Sequence, residues 1–511
     1  MNHFKTILNH EFQNQLKSFK FLLVLVITLL VTLFCVFIQV KDFAERKEQY
    51  NQQIERKNKI INEARVFSEF AVPIVIKPNP LSIFAKGYDE KLGNEIMISW
   101  KNLPEFSRFD FMRSGKKSMN SNEKNPFLNI FTEFDVISIV MIILSILAIF
   151  VVADAISGER EKRTLQLVYT NPVKRAEFFT AKYLSNLAIL LIPLLGIFLS
   201  ATIMIVIQPF IQVEPDFYLR VLLIFIGCFL FISVFTLITL SISATTSSGS
   251  KSLIYGLLIW MFLVFVYPNS VRFVVEKNMD IPSFTKLEKK KQNLYEAFSD
   301  AKDAFYDNNP LNKNRHYTYH MANRFFTTLI GATEKYVFEY KRKEIQTLMP
   351  ALFETQNKMM NAISEYRSKL LYRQHTIENF SFFIPNHLLE QTGTKLANTD
   401  RYARDVYIRN QAQRFRQQVL DYVRSKNGFG YKFFTQMEPK NMKNDMEAYP
   451  KKYSNFSFYE DYPKLKLSDI PKFSYKKLFR FPVEIFYLAG VNLLLFVLGS
   501  YLFMRSKLLS N

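Results

Sequence analysis

The sequence predicts a mainly α-helical polytopic membrane protein with six transmembrane helices and two extracytoplasmic insertions, the larger mostly helical. Three observations predict it. Six runs of about 20 uncharged apolar residues each reach across a hydrocarbon core of roughly 30 Å as a helix. Basic residues gather in the N-terminus, in one connector and in the C-terminal tail. The segments between the runs are strongly polar, so a mean hydropathy near zero averages two unlike kinds of chain.

Residues 1–20, "MNHFKTILNHEFQNQLKSFK", put Phe4, Ile7, Leu8, Phe12 and Leu16 at helical spacing, as an amphipathic elbow lying in the inner interface would. Span one, residues 21–40, is too long for a signal h-region, and "FIQVKDFAERKE" has no small-residue cleavage site, so it reads as an uncleaved span. Residues 41–134 form the first insertion. A charged helix continues from span one, and Pro73, Pro78 and Pro80 then argue against helix. "VPIVIK" and "EIMISW" read as short strands.

Span two covers 136–153 and a connector covers 154–184. Span three covers 187–211, where Pro193 and Pro209 are expected to kink it or mark its end. Spans four and five cover 221–244 and 252–271. The second insertion is 273–480. In it "FTKLEKKKQNLYEAFSDAKDAFYDN" reads as helix, and a stripe from Ile345 through Leu370 reads as a helix that Pro350 breaks or restarts. Another helix follows Thr399 or Asp400 as N-cap and ends before Gly428. Tyr449 to Pro471 reads as an extended return to span six, residues 482–504, with a tail at 505–511.

Orientation follows from lysine and arginine in short loops. Lys5, Lys17 and Lys20, then Arg160, Lys162, Arg163, Lys174, Arg175 and Lys182, then Lys251, Arg505 and Lys507 all fall on one side, while Glu214 and Asp216 fall on the other. Both termini and the 154–184 connector are therefore expected in the cytoplasm.

Several functions are excluded or disfavoured. The net charge of +21 suggests nucleic acid, but most of the excess lies between spans five and six, which this topology puts outside, so a solvated basic surface is expected instead. Cys35 and Cys228 both lie inside spans, so no disulfide staples the insertions. No GxxxxGK[ST] occurs; "SSGSKS" lacks its first glycine. His316 and His320 in "HYTYH" lack both the glutamate of HExxH and a third ligand, and read as surface histidines. The spans carry almost no titratable group, which argues against intramembrane catalysis and ion-coupled carriage; Glu484, near the outer end of span six, is the one carboxylate to watch.

The connector is denser in charge than topology requires. Glu159, Arg160, Glu161, Lys162 and Arg163 are followed by "TLQLVY", an Asn171-Pro172 turn and a helix from Val173 to Leu184 that enters span three. This is a helix-turn-helix unit suited to docking on a cytoplasmic partner. The order acidic-basic cluster, Thr-Leu, apolar pair, Pro, basic residue, Glu and Lys resembles the first cytoplasmic loop of ABC-2 type ABC-transporter permeases. Matching positions are Glu159, Glu161, Thr164, Leu165, Pro172, Glu177 and Lys182, with Arg163 where a glycine usually precedes the Thr-Leu pair. The elbow, the spans and the two insertions, with "FFIPNHLLEQTGTKLANTDRYARDVYIRNQAQRFRQQV" and "DIPKF", resemble the subgroup whose C-terminal half is an uncharacterised conserved domain.

The resemblance implies an ABC-2 (type V exporter-like) arrangement of the six helices in a bacterial inner membrane, with the connector as coupling helix. Glu159, Glu161, Arg163, Thr164, Leu165, Pro172, Glu177 and Lys182 would then couple to separate ABC ATPase subunits. ATP and Mg would belong to those subunits and no cofactor to this chain. It also implies a second permease copy, identical or related; a periplasmic protein partner fits the outer insertions, and nucleic acid is not expected. The reading from another class is a non-transporting scaffold or mechanotransmitter through which an ATPase acts on a periplasmic partner. No span residue selects among lipid, peptide, antibiotic and polymer as cargo.

Overall fold

A computed structural model describes residues 2–63, 71–89, 95–99, 103, 134–170, 173–310, 335–382, 384–425 and 479–506. Pro172, the His316/His320 pair, Gly428 and the Tyr449–Pro471 return lie outside the described residues. Among the described residues six helices are long and apolar enough to cross a membrane.

The elbow is α1, Asn2–Leu16, which packs on span three. Ser18 Oγ accepts from Phe21 N and opens α2, Phe19–Glu63. Span one and the charged stretch after it are thus one 45-residue helix. Beyond it β1, Ala71–Val75, pairs antiparallel with β2, Glu95–Ser99, in the register Ala71↔Ser99 to Val75↔Glu95. These are the two short strands that the alternation of "VPIVIK" and "EIMISW" suggests.

Span two, α3, is residues 136–152, capped by Asp135, whose carboxylate accepts from Ser138 N at 2.8 Å. Its turns at Ile139–Leu144 are π-type. Widened turns displace backbone carbonyls from their usual partners, and Ser145 Oγ donates to the Met141 carbonyl while accepting from Trp260 Nε1 at 2.8 Å. Two short connector helices follow, α4, Ser157–Glu161, and α5, Thr164–Val168.

Span three, α6, runs Arg175–Val206 and passes through buried Pro193 without a break. It stops three residues before Pro209, short of the expected Ile211. Span four, α7, Phe217–Thr245, is the axis of the bundle, touching spans two, three, five and six. Span five, α8, Gly249–Asn278, contains π-type turns at Phe262–Val266 ahead of Pro268, and is the least enclosed: 17% of its apolar window is buried, against 61% for span four.

In the second insertion α9, Phe284–Asn308, pairs antiparallel with α10, Lys335–Ser381; Lys290 faces Glu365 and Tyr306 donates to Glu344 at 2.9 Å. The expected interruption at Pro350 does not occur. Proline removes one backbone hydrogen bond, and here the buried neighbours Leu348, Met349 and Leu352 hold the turn in place. Next comes α11, Pro385–Ala397, then α12, which starts as π-type turns over Tyr402–Tyr407 and continues through Ile408–Ser425. Asp400 takes the expected N-cap position, its carbonyl accepting from Arg404 N at 3.1 Å, but neither candidate's side chain is spent on the helix's own amides. Thr399 Oγ1 donates to the Ala85 carbonyl at 2.7 Å, and the Asp400 carboxylate accepts from Arg480. Span six, α13, Glu484–Arg505, closes the bundle against α7.

Although it belongs to the second insertion, α11 is wedged between the ends of spans. A Cβ on Gly227 of α7 would lie 3.1 Å from Thr392 Cγ2, and one on Gly393 would overlap Ile137 of α3. Its last carbonyls are capped from outside: Arg220 Nη1 donates to Leu396 O and Asn79 Nδ2 to Ala397 O. Lys395 pairs with Glu484 at the start of α13. Glu484 therefore has a structural partner, and its second oxygen is buried.

Candidate functional site: the connector between spans two and three

The bundle has two ends. One carries α1, the connector and the last turn of α13; the other carries both insertions. Arg160, Glu161 and Arg175 of the connector are each tied to a helix terminus at the first of these ends.

The first helix, α4, has no side-chain cap of its own. Its orphan amides are met from across the bundle: Ser243 Oγ of α7 accepts from Ile156 N at 3.1 Å and Ser157 N at 2.9 Å. A helix N-terminus leaves such donors unsatisfied, and a hydroxyl supplied by another element does the work of an N-cap. Arg160, one turn on, is buried at 5% exposure and reverses the favour. Its guanidinium donates to Thr246 O, to Ala244 O at 2.7 Å and to Ser506 Oγ at 3.3 Å. A cation against the last carbonyls of α7 satisfies orphan acceptors and complements the negative end of the helix dipole. Arg175 does the same for span six, donating to Met504 O at 2.7 Å and Ser506 O at 3.1 Å. Glu161 Oε2 accepts from Gly249 N at 3.2 Å, which places a carboxylate on the N-terminus of α8.

Lys182 is the deepest charge of the site, with 2% of its side chain exposed. It pairs with Glu159 of α4 and, at 2.7 Å, with Glu11 of α1. Gln15 of α1 adds a 2.7 Å bond to Asn186, one turn further along α6. Two carboxylates around one ammonium hold elbow, connector and span three at a single point.

The second helix, α5, has one inward anchor and one outward face. Leu165 is fully buried, and the Tyr169 ring packs 5.9 Å from Phe178. Burial drives the Tyr169 phenol up to about 12 against the opposing pull of Arg175, so it stays protonated. Facing out are Glu161, Lys162, Arg163, Thr164 and Thr170, with Leu167 66% exposed in their midst. Between α4 and α5, Arg163 has φ 58°, ψ 11°, the left-handed conformation. Outside glycine this costs about 1–2 kcal/mol. Glycine makes this turn without that cost, and here arginine makes it.

The residues that the sequence singled out thus divide. Glu159, Leu165 and Lys182 face inward and hold the connector together. Glu161, Arg163 and Thr164 are exposed. Glu177 is half-exposed, 3.9 Å from Lys174. Pro172 is outside the described residues. Sequence reasoning missed the parts played by Arg160, Arg175 and Ser243. Arg175 entered it only as a charge setting orientation, and Arg160 also as part of the charged docking cluster, where its burial corrects the reading; the clue for Arg160 was its place one helical turn after apolar Ile156.

Among the described residues no group of three or more His, Cys, Asp or Glu is placed to hold a metal. What the arrangement offers is mechanical. A short exposed helix is fixed through α4 and the first turns of α6 to the ends of spans three, four, five and six. Compared with known proteins, residues 5–508 match the model of a family described as ABC-2 family transporter protein. No curated protein matches the chain.

Proposed function

The chain belongs to the ABC-2 transporter family, and from that premise we propose that it is the membrane-spanning permease subunit of an ATP-driven exporter in a bacterial inner membrane. Both termini and the connector face the cytoplasm, where separate ABC ATPase subunits dock on α5. ATP and Mg are bound by those subunits. Two permease copies, identical or related, form the complete transporter, and the large second insertion supports reading the chain as one of the subgroup with a C-terminal conserved domain.

The observation that carries this reading is the outward face of α5, with Lys162, Arg163, Thr164 and Leu167 on a helix whose mount reaches four span ends. Closure of the ATPase pair pushes on that face. Because Arg160, Glu161, Lys182 and Arg175 each grip a different span, the push reaches several helices together and shifts the bundle between two packings. The mutation that tests docking most cleanly is Leu167→Asp, since Leu167 is exposed, whereas Glu161→Lys would also take a carboxylate off the N-terminus of α8 and Glu159→Lys would set two ammonium groups against each other at Lys182. Leu167→Asp is expected to lower coupled ATP hydrolysis or complex yield.

The test of the whole reading is affinity purification of the tagged chain in mild detergent, followed by an ATPase assay with orthovanadate. Recovery of a Walker-motif subunit with vanadate-sensitive hydrolysis supports it. An ATPase-free preparation, even after cross-linking in membranes, overturns it. One observation favours the mechanotransmitter as second reading: α2 continues well past the bilayer thickness as a single helix.

A further inference from the structure

At about 1.5 Å per residue, the 45 residues of α2 make a rod of about 67 Å. The segment from Lys41 to Glu63 alone extends about 34 Å beyond the apolar run. The helix contains no glycine and no proline. Helices without such breaks bend only gently, so displacement of one end is felt at the other.

One half of the rod touches the connector's own helix. Phe21 and Val24 are buried, and Leu29 Cδ2 lies 2.8 Å from where a Cβ on Gly196 of α6 would sit. Since α6 begins at Arg175, it continues the connector directly. Lys20 also pairs with Asp154 at 2.6 Å, although an exposed pair of this kind contributes little.

The other half enters a buried charge cluster. Arg46 donates from Nε to Asp42 at 3.0 Å, from Nη1 to Asp89 at 2.6 Å and from Nη2 to Ser82 at 3.2 Å. Lys86 Nζ reaches Asp42 at 3.3 Å, while its backbone N donates to Asp135 at 2.8 Å. Arg404, at the start of α12, donates to the Asp89 carbonyl at 3.0 Å and lies 3.4 Å from its carboxylate. Three cations and three carboxylates, none more than 9% exposed, come from α2, the segment before β2, the cap of span two and the second insertion. Separating any of them would strand a charge in a dry site.

We propose that α2 is a rod that carries displacement of the connector to the insertions, and that the Arg46 cluster is the joint keying both insertions to it. This rests on the coupling role proposed above. Three consequences follow for distances. The rod and α12 stay at one separation in every state. The rod shifts against span four when the connector is driven. Breaking the cluster frees α12 from the rod.

Spin labels at Asn51→Cys on α2, Gln418→Cys on α12 and Tyr218→Cys on α7, all exposed sites, test this in the full complex in nanodiscs, with Cys35 and Cys228 replaced. The 51–418 distance should be one narrow peak with or without vanadate-trapped nucleotide, while the 51–218 distance shifts by several ångströms on trapping. Arg46→Met should broaden the 51–418 peak; Asp89→Asn, which keeps shape, serves if Arg46→Met does not accumulate. A 51–418 distance that moves on trapping, an unmoved 51–218 distance, or a narrow peak in both variants each overturns the proposal. The nucleotide-free variants read the joint alone. If no ATPase co-purifies, the coupling reading has failed and the keying is still decided.

Discussion

The protein buries charge at both ends of its helical bundle, and does so in two different ways. At the connector end one ammonium, Lys182, holds two carboxylates, and two guanidinium groups, Arg160 and Arg175, spend themselves on backbone carbonyls at helix ends. At the insertion end three cations, Arg46, Lys86 and Arg404, and two carboxylates, Asp42 and Asp89, bind one another in a closed cluster, with Asp135 accepting from the Lys86 backbone amide beside it. The first arrangement grips helix termini, whose orphan groups tolerate small rearrangements by exchanging partners or water. The second has no such slack, because every member is enclosed and each depends on another. One end is therefore built as an adjustable mount and the other as a fixed joint.

Removing charge should separate the two. Arg46→Met leaves Asp42 and Asp89 buried with one cation fewer each, and is expected to destabilise the insertion end by about 3–5 kcal/mol. Rapid limited proteolysis of the insertions, with the spans still protected by detergent, would report it. Lys182→Met removes the partner of Glu11 and Glu159, which are 16% and 23% exposed and so admit some water. A smaller loss of about 1–3 kcal/mol is expected, partly recovered by adding Glu159→Gln, and thermal unfolding of the pair of variants measures it. Equal losses at the two ends would erase the distinction between mount and joint.

Arg163→Gly relieves the left-handed turn and should stabilise the connector by about 1 kcal/mol, while weakening ATPase docking if the guanidinium contacts the partner. A Tm rise with lowered complex yield would show both effects. The mildest effect near neutral pH concerns His387 on α11. Burial lowers its pKa to about 4 against the raising influence of Glu484, so the folded state binds fewer protons than the unfolded chain, whose histidine titrates near 6.5. Stability from this group is complete above that value and is lost as pH falls from about 6.5 to about 4. His387→Gln should flatten the acid limb of a Tm–pH profile over that window.

The contrast also explains what could be read in advance. The connector is contiguous, so its charge order and the Thr-Leu pair lie side by side in "SGEREKRTLQLVYTNPVKRAEFFTAK", and the helices of the spans follow from apolar runs that nothing else explains. Helix α9 was legible because Leu287, Phe298 and Phe305 recur on one face. The Arg46 cluster was not legible, because its members run from residue 42 to residue 404 and each looks like an ordinary surface charge alone. Nor was the wedge at α11, whose buried face interrupts Leu388, Leu389, Leu396 and Ala397 with Asn386, Thr392, Gly393 and Thr394 and so blurs the apolar stripe. Pro350 misled for a related reason: local chemistry argued for a break, and the packing of Leu348 and Leu352, which only the fold supplies, overrode it.

The measurement that tests the central claim most directly is a photo-cross-link from the connector in native membranes. A benzophenone residue is placed at Leu167, in the exposed face of α5, and at fully buried Leu165 as control. Docking of an ATPase on α5 predicts a covalent adduct from position 167 containing a Walker-motif protein, with little or none from position 165. A complex that co-purifies with its ATPase yet yields no adduct from position 167 or its exposed neighbour Thr164 would contradict the account.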